Sequence, residues 1–346
     1  MIPPLSSRRP SLTGILLAAA GLALLIWQVR LVGLDHIGDG FRAVGWLGFA
    51  AILGLSLFRF MARSLAWTTL MTHPGSSGKR RVRLRSATAA TISGDALGNL
   101  SFLSLLVSEP AKALYVSRQA PAAEAFAALT AENFFYSVSV AAVILGGTIT
   151  LLATFVLPDT FRFVVWLSLA AMGGVLGVAV WLAHRRPGVT TWVRHTLPRL
   201  GAWVTPTPRS RITHALDRLQ SLESQTYNAL SASASRLSMV LACEVAFHLA
   251  SVAEAWLTLS FLAPAGSATL LNAFLLDTVN RLINVVFRAV PMRVGVDEFT
   301  TSSFSDMLGL GSPAGVTLAL VRKARMLVWA GVGLALLSRR AIRRIL

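Results

Sequence analysis

Six stretches of this chain are apolar over about the length that a bilayer core demands of a helix, roughly 20 residues. They are 13–32, 44–67, 124–157, 162–183, 236–263 and 313–338. Backbone amides surrounded by hydrocarbon must be satisfied within their own segment, so such runs are read as helices. Two further apolar stretches, 86–107 and 270–290, are interrupted by polar residues. Composition agrees: 54% of the 346 residues are hydrophobic and only 14% are charged, against roughly 25% charged in soluble domains. Disorder, a fibrous repeat and a disulfide scaffold are excluded, and the lone cysteine, Cys243, lies within an apolar run. The expectation is a single transmembrane domain over 1–346, all-α and polytopic. The first span follows Arg8 and Arg9 and is read as an uncleaved helix, since its apolar run is long and no small-x-small site follows.

Lysine and arginine in the loops orient the spans, because they are retained on the cytoplasmic side. Basic residues crowd 72–85, 184–236 and 339–344, and Arg8 and Arg9 begin the chain, whereas 33–43 and 158–162 each hold a single arginine. Both termini and both long basic loops are therefore expected in the cytoplasm. With 72–85 and 108–122 both inside, 86–107 must enter and leave from one face. Segment 264–312 likewise starts and ends outside. The fold expected is an inverted-topology repeat with two re-entrant helical hairpins, the alternative being pairs of short crossing helices. Matching motifs support the repeat: Ser108-Glu109-Pro110 in one unit and Asp297-Glu298 in the other, with Glu132 lying 23 positions beyond Glu109 and Arg322 lying 24 beyond Glu298.

The net charge of +17 would suggest nucleic acid in a soluble protein, but its distribution gives it another meaning. Nine bases and eight acids fall at membrane depth; the remaining 23 bases and seven acids lie in loops. The excess is thus a topology signal and an attraction to an anionic leaflet, and no nucleic-acid partner is expected. A charge at the bilayer centre costs at least about 2.5–3.5 kcal/mol on insertion scales, so the membrane-depth groups must pair or line a wet cavity. Glu109, Glu132 and Glu298 are expected to meet Arg322 and Arg325, which share a face of the last helix, between the two repeats. Glu109, Lys112, Glu132, Arg281, Arg288, Glu298, Arg322 and Arg325 are the candidate substrate-binding residues. Glu244 and His248 are spaced i, i+4 and are candidates for proton coupling. Asp35, His36 and Asp39 are read as solvated in an external loop. Residues 184–208 read as a surface linker rich in Pro, Arg and Trp, and 209–234 as an interfacial amphipathic helix with Ile212, Leu216, Leu219 and Leu230 on its apolar face.

Several functions are unsupported. There is no P-loop, no dinucleotide fingerprint, no HExxH or other zinc spacing, and no Gly-x-Ser-x-Gly elbow. No catalytic residue, metal or cofactor is therefore assigned, and an ATP-driven pump would need a separate motor.

The motifs Ala62-Arg63-x3-Trp67, Ser108-Glu109-Pro110-Ala111-Lys112, Glu132-Asn133, Pro291-x3-Gly295-Val296-x-Glu298 and Val321-Arg322-Lys323-x-Arg325 occur in this order. Together they resemble the flippase-like integral membrane family, the transmembrane region of lysylphosphatidylglycerol synthase, over roughly 13–338. The resemblance implies a bacterial inner-membrane lipid translocase with two pseudo-symmetric re-entrant units. Bifunctional members add a soluble synthase domain; this chain looks like the stand-alone members, some of them associated with hopanoid biosynthesis, so lipid synthesis is not implied. Ser108, Asn133 and the Pro291-Met292-Arg293 run depart from the family pattern and bear on substrate identity. The expected function is movement of a lipid, its headgroup anionic or phosphate-bearing, between leaflets through a polar cavity. The alternatives are an intramembrane transferase and an accessory subunit of a lipid-synthesis complex. A homo-oligomer or a lipid-synthesis partner is compatible with each.

Overall fold

A computed structural model describes residues 30, 34–71, 82–99, 104–155, 159–185, 188, 190–191, 209–231, 233–263, 266–287 and 293–345. The expected first span at 13–32 and nearly all of the linker at 184–208 lie outside the described residues, as do most of the 72–85 loop and Arg288. The described residues form ten helices and no strand: α1 Leu34–Met71, α2 Leu84–Asn99, α3 Ser104–Tyr115, α4 Ala122–Thr154, α5 Asp159–Arg185, α6 Arg209–Leu230, α7 Ala234–Leu262, α8 Leu270–Val286, α9 Val296–Met307 and α10 Ser312–Ile345. The protein is an all-α polytopic membrane protein.

Segments Gly38–Met71, Ala122–Thr154 and Ala234–Leu262 are long and apolar enough to cross a membrane, and α5 adds the shorter apolar run Val165–Trp181. Helix α10 has the length, about 51 Å at 1.5 Å per residue, but carries Arg322, Lys323 and Arg325 in its middle. Large apolar side chains on the outer faces, among them Trp166, Val180, Leu241 and Leu249, are exposed. That is the arrangement expected where the surrounding medium is lipid rather than water.

Helix α1 begins at Leu34, so Asp35, His36 and Asp39 are helical rather than part of a loop, and Asp39 pairs with Arg42 at the surface at 2.9 Å. Gly45, at φ 59° and ψ 177°, kinks the helix after this first stretch. A side chain is rarely tolerated at that φ. Helix α3 continues through Tyr115. Glu109 and Lys112 are therefore on a helix packed against α2, whereas the sequence placed them in the loop beyond a hairpin ending at 107. Helix α6 forms as expected and packs on α4 and α1. Leu216 is buried there and Leu230 is partly so, but Leu219 is exposed.

Of four apolar clusters among the described residues, two are large. One gathers Trp67, Leu70, Val116, Leu129 and Val240 from α1, α4, α7 and the turn after α3. The other gathers Leu151, Leu259, Leu275, Leu276 and Leu318 from α4, α7, α8 and α10. On α4 the first cluster ends at Ala131 and the second resumes at Leu151; on α7 the corresponding residues are Cys243 and Ala255. Between these positions lie a smaller apolar cluster of Val140, Ala141, Ile144 and Met172 and the buried charges Glu132, Glu244 and Glu254.

Helix α10 connects the two helix pairs. Near its start, a Cβ on Gly315 would come within 2.6 Å of Ser302 Cα and Thr301 O of α9. Eighteen residues on, a Cβ on Gly333 would meet Ala96 Cβ at 2.6 Å and Ile92 O at 2.7 Å of α2. Helices α9 and α2 thus lie against opposite ends of one helix, with Arg322, Lys323 and Arg325 between the two contacts.

Candidate functional site: a buried network of charges

Arg59 and Arg63 are one turn apart on α1, so they share a face. Arg63 donates from Nε and Nη2 to the two carboxylate oxygens of Glu132 on α4, at 2.7 and 2.8 Å, and from Nη2 to Asn133 Oδ1 at 3.0 Å. Its guanidinium also lies over the Tyr136 ring, 4.2 Å from the centroid. One turn further along the same face, Trp67 Nε1 donates to Ala125 O at 3.0 Å. The spacing Arg63-x3-Trp67 is thereby explained: both side chains tie α1 to α4.

Arg59 reaches Glu254 on α7 at 3.0 Å. The other oxygen of Glu254 pairs with Arg325 of α10. Glu254 is buried and joins α1, α7 and α10 through one carboxylate.

Lys112, only 2% exposed, bridges Asp95 of α2 at 2.8 Å and Glu109 at 2.9 Å. Ser108 Oγ donates to Asp95 at 3.4 Å. Gly94 permits this closeness, since a Cβ there would strike the Lys112 side chain and Ser108 O. The Ser108-Glu109-Pro110-Ala111-Lys112 run is therefore the half of a helical hairpin that receives α2.

The Gly295-x-x-Glu298 motif also has a local cause. Gly295 is the N-cap of α9, at φ 84°, a region open to glycine. Its amide donates to Glu298 Oε2 at 2.8 Å, and Glu298 Oε1 accepts from Lys323 of α10. The fully buried Glu298 thus caps one helix and fastens another.

On α8, Asp277 accepts from Arg281 Nε at 2.7 Å and from Ser251 of α7 at 2.8 Å. Phe247 lies beneath both Arg59 and Arg281, with centroid distances of 4.6 and 5.8 Å. Ser139 of α4 donates to Glu244 Oε2 at 3.0 Å and is 2.9 Å from His248 Nε2. One hydroxyl therefore joins the two residues that share a face of α7. With its proton given to Glu244, the hydroxyl accepts from His248 Nε2–H.

The membrane-depth charges pair as a group, but not with the partners expected. Glu132 is held by Arg63, Glu109 by Lys112 and Glu298 by Lys323, where the sequence reading had given all three to Arg322 and Arg325. Arg325 takes Glu254 instead, and neither Nη of the buried Arg322 finds a hydrogen-bond partner among the described residues. The reason is reach: α10 passes α7 and α9 at this level, whereas Glu132 lies on α4 and faces α1. Arg59, Arg63, Asp95, Glu254, Asp277 and Lys323 belong to the network; by sequence they count among the membrane-depth charges but not among the substrate-binding candidates, and Ser139 carried no signal. The i, i+4 spacings of Arg59 with Arg63 and of Asp277 with Arg281 were the available signals.

A groove of about 280 Å³, lined in part by Asp39, Phe261 and Thr317, opens elsewhere and has no cation in its lining. Among the described residues no group of His, Cys, Asp and Glu has the arrangement of a metal centre.

The motifs explained above are those of the resemblance, and a family comparison gives the same result. The model for the lysylphosphatidylglycerol synthase TM region matches residues 11–335. The chain belongs to this family. It is accordingly an integral membrane protein of lipid-related processes, and its described part is helical throughout, without a soluble catalytic domain. Comparisons with curated proteins and with solved structures found no match.

Proposed function

We propose that this protein moves a lipid, or a lipid-linked substrate, between the leaflets of a bacterial inner membrane. The headgroup would cross through the polar zone between the two large apolar clusters while the tails stay in the bilayer. One observation carries the reading: buried charged side chains from α3, α4, α7, α8, α9 and α10 pair with one another and with half-buried ones from α1 and α2. Such groups are expensive in a membrane and commonly mark a pathway for polar cargo. A purely structural network needs no unpaired members, whereas Arg322 and Arg281 retain guanidinium nitrogens without hydrogen-bond partners among the described residues.

The α2–α3 and α8–α9 pairs are the proposed re-entrant units of an inverted repeat, with both termini in the cytoplasm. The contacts of α2 and α9 at opposite ends of α10 support that reading. Glu109, Lys112, Glu132 and Glu298 then maintain the geometry of the path, and Arg281, Arg322 and Arg325 face the cargo. Glu132, Glu254, Asp277 and Glu298 accept at both carboxylate oxygens, whereas Glu109 Oε2 and Glu244 Oε1 have no hydrogen-bond partner among the described residues, so the assay below separates translocation from a transferase. Glu244, Ser139 and His248 are the proposed path for a coupled proton.

The test is a proteoliposome assay with short-chain fluorescent lipids and dithionite quenching. Protein-dependent exchange that is lost in Arg322→Gln is expected. Product formation without exchange would replace this reading with the enzyme, and exchange seen only with a co-purified partner would replace it with the accessory subunit.

A further inference from the structure

Where Arg59, Arg281, Arg322 and Arg325 meet Glu254 and Asp277, four guanidinium groups face two carboxylates, an excess of two positive charges. The four are one group. Glu254 joins Arg59 to Arg325 directly, and Arg59, Arg281 and Arg322 all lie within electrostatic range of Asp277. Elsewhere the balance differs. Lys112 meets two carboxylates, Asp95 and Glu109, and Arg63 meets Glu132. Glu244 lies between the two regions, within range of both Arg63 and Arg281. Taken together, the described membrane-depth charges nearly cancel, but they are separated so that one pole is cationic.

The arginines of this pole carry unsatisfied atoms, beside the unsatisfied acceptors Asn284 Oδ1 and Glu244 Oε1. Arg322 Nη1 and Nη2, Arg281 Nη2 and Arg59 Nε are buried without hydrogen-bond partners among the described residues, and all are donors. Arg322 and Arg281 are 8% and 5% exposed. A buried donor of a charged group that finds no acceptor is costly. Arg322, with both Nη atoms unsatisfied, and Arg281, with Nη2 unsatisfied beside its Asp277 pair, are therefore poor structure but a good receptor. The complement is a group that only accepts, carries about two negative charges and offers several oxygens in a compact shape. A sulfhydryl, amine or sugar headgroup does not meet these conditions, and a phosphodiester supplies one charge and two free oxygens.

We infer that Arg281 and Arg322, with Arg59 and Arg325 beside them, form a site for the terminal phosphate of a lipid, a phosphomonoester or the end of a pyrophosphate, in preference to a phosphodiester headgroup. This deepens the translocation reading and rests on it for the lipid-borne source. Asp277 holds Arg281 in place, and Glu254 holds Arg59 and Arg325. No bond forms or breaks.

The test uses the full chain in detergent, with binding of dihexanoyl phosphatidate, dihexanoyl phosphatidylglycerol and inorganic phosphate measured by calorimetry below the micelle concentration of each lipid. Phosphatidate is expected to bind at least about tenfold more tightly than phosphatidylglycerol. Arg322→Gln should weaken phosphatidate by a similar factor while its melting temperature stays level or rises, because the substitution removes a buried guanidinium whose Nη atoms have no hydrogen-bond partner among the described residues. Arg281→Gln is the second variant; should it fold poorly through loss of the Asp277 pair, Arg322→Gln alone decides. Equal affinity for the two lipids, or unchanged binding in Arg322→Gln, would overturn the assignment. Binding of inorganic phosphate with none of phosphatidate would overturn its lipid-borne part. Tight phosphatidate binding without leaflet exchange would leave this site standing and remove the translocation reading.

Discussion

Arg63 and Glu132, on α1 and α4, form a two-point pair, Nε to Oε1 at 2.7 Å and Nη2 to Oε2 at 2.8 Å, with Glu132 almost wholly buried. Removing either partner leaves the other charge buried and alone, at a cost of about 3–5 kcal/mol. Glu132→Gln and Arg63→Gln are each expected to lower the melting temperature and the folded yield in detergent. The exchange Arg63→Glu with Glu132→Arg should recover part of that loss, read by fluorescence-detected gel filtration. Exchanging Glu132 with Arg325 should recover nothing, because the two side chains have different partners.

Glu254 differs from Glu132 in serving two cations. Glu254→Gln strands both Arg59 and Arg325, whereas Arg59→Gln leaves Glu254 paired to Arg325. Thermal melts of the two variants should therefore rank Glu254→Gln as clearly the less stable. Equal losses would mean that the two arms of the bridge do not share one carboxylate in solution.

The helix α10 contacts allow a test that involves no charge. At Gly315 and Gly333 an added methyl meets backbone of α9 and α2. Overpacking of this kind costs about 1–3 kcal/mol. Gly315→Ala and Gly333→Ala should each reduce stability, while Gly331→Ala, where nothing lies within 4 Å, should be neutral or mildly stabilising. Stability measured by scanning fluorimetry in one detergent compares the three directly.

Ser139 is the link between Glu244 and His248. Ser139→Ala deprives the Glu244 oxygen and the His248 nitrogen of their shared partner, worth about 1–3 kcal/mol for buried groups. If a proton moves along this path, a protonophore should slow leaflet exchange by the wild type and leave Ser139→Ala and Glu244→Gln at their own slower, uncoupler-insensitive rates. Wild-type exchange that ignores the protonophore would remove the proton role.

The apolar runs, the basic loops and the charges left at membrane depth were all legible in the linear chain, because each rests on a cost that any bilayer imposes on a residue whatever its neighbours. The helices at 44–67, 124–157 and 236–263 follow from that cost alone, as does the requirement that Glu132, Glu298 and Arg322 avoid lipid. Family membership was legible too, through motifs such as Gly295-x-x-Glu298, which specify a local turn and its cap. The partners were decided elsewhere. Which cation meets Glu132 depends on α1 crossing α4, and which meets Glu298 depends on α10 passing α9 closely enough for Gly315 to be required. An ion pair between positions 69 residues apart has no periodicity to betray it. Side-chain reach across packed helices gave Glu254 two arginines and left the Nη atoms of Arg322 without a hydrogen-bond partner among the described residues.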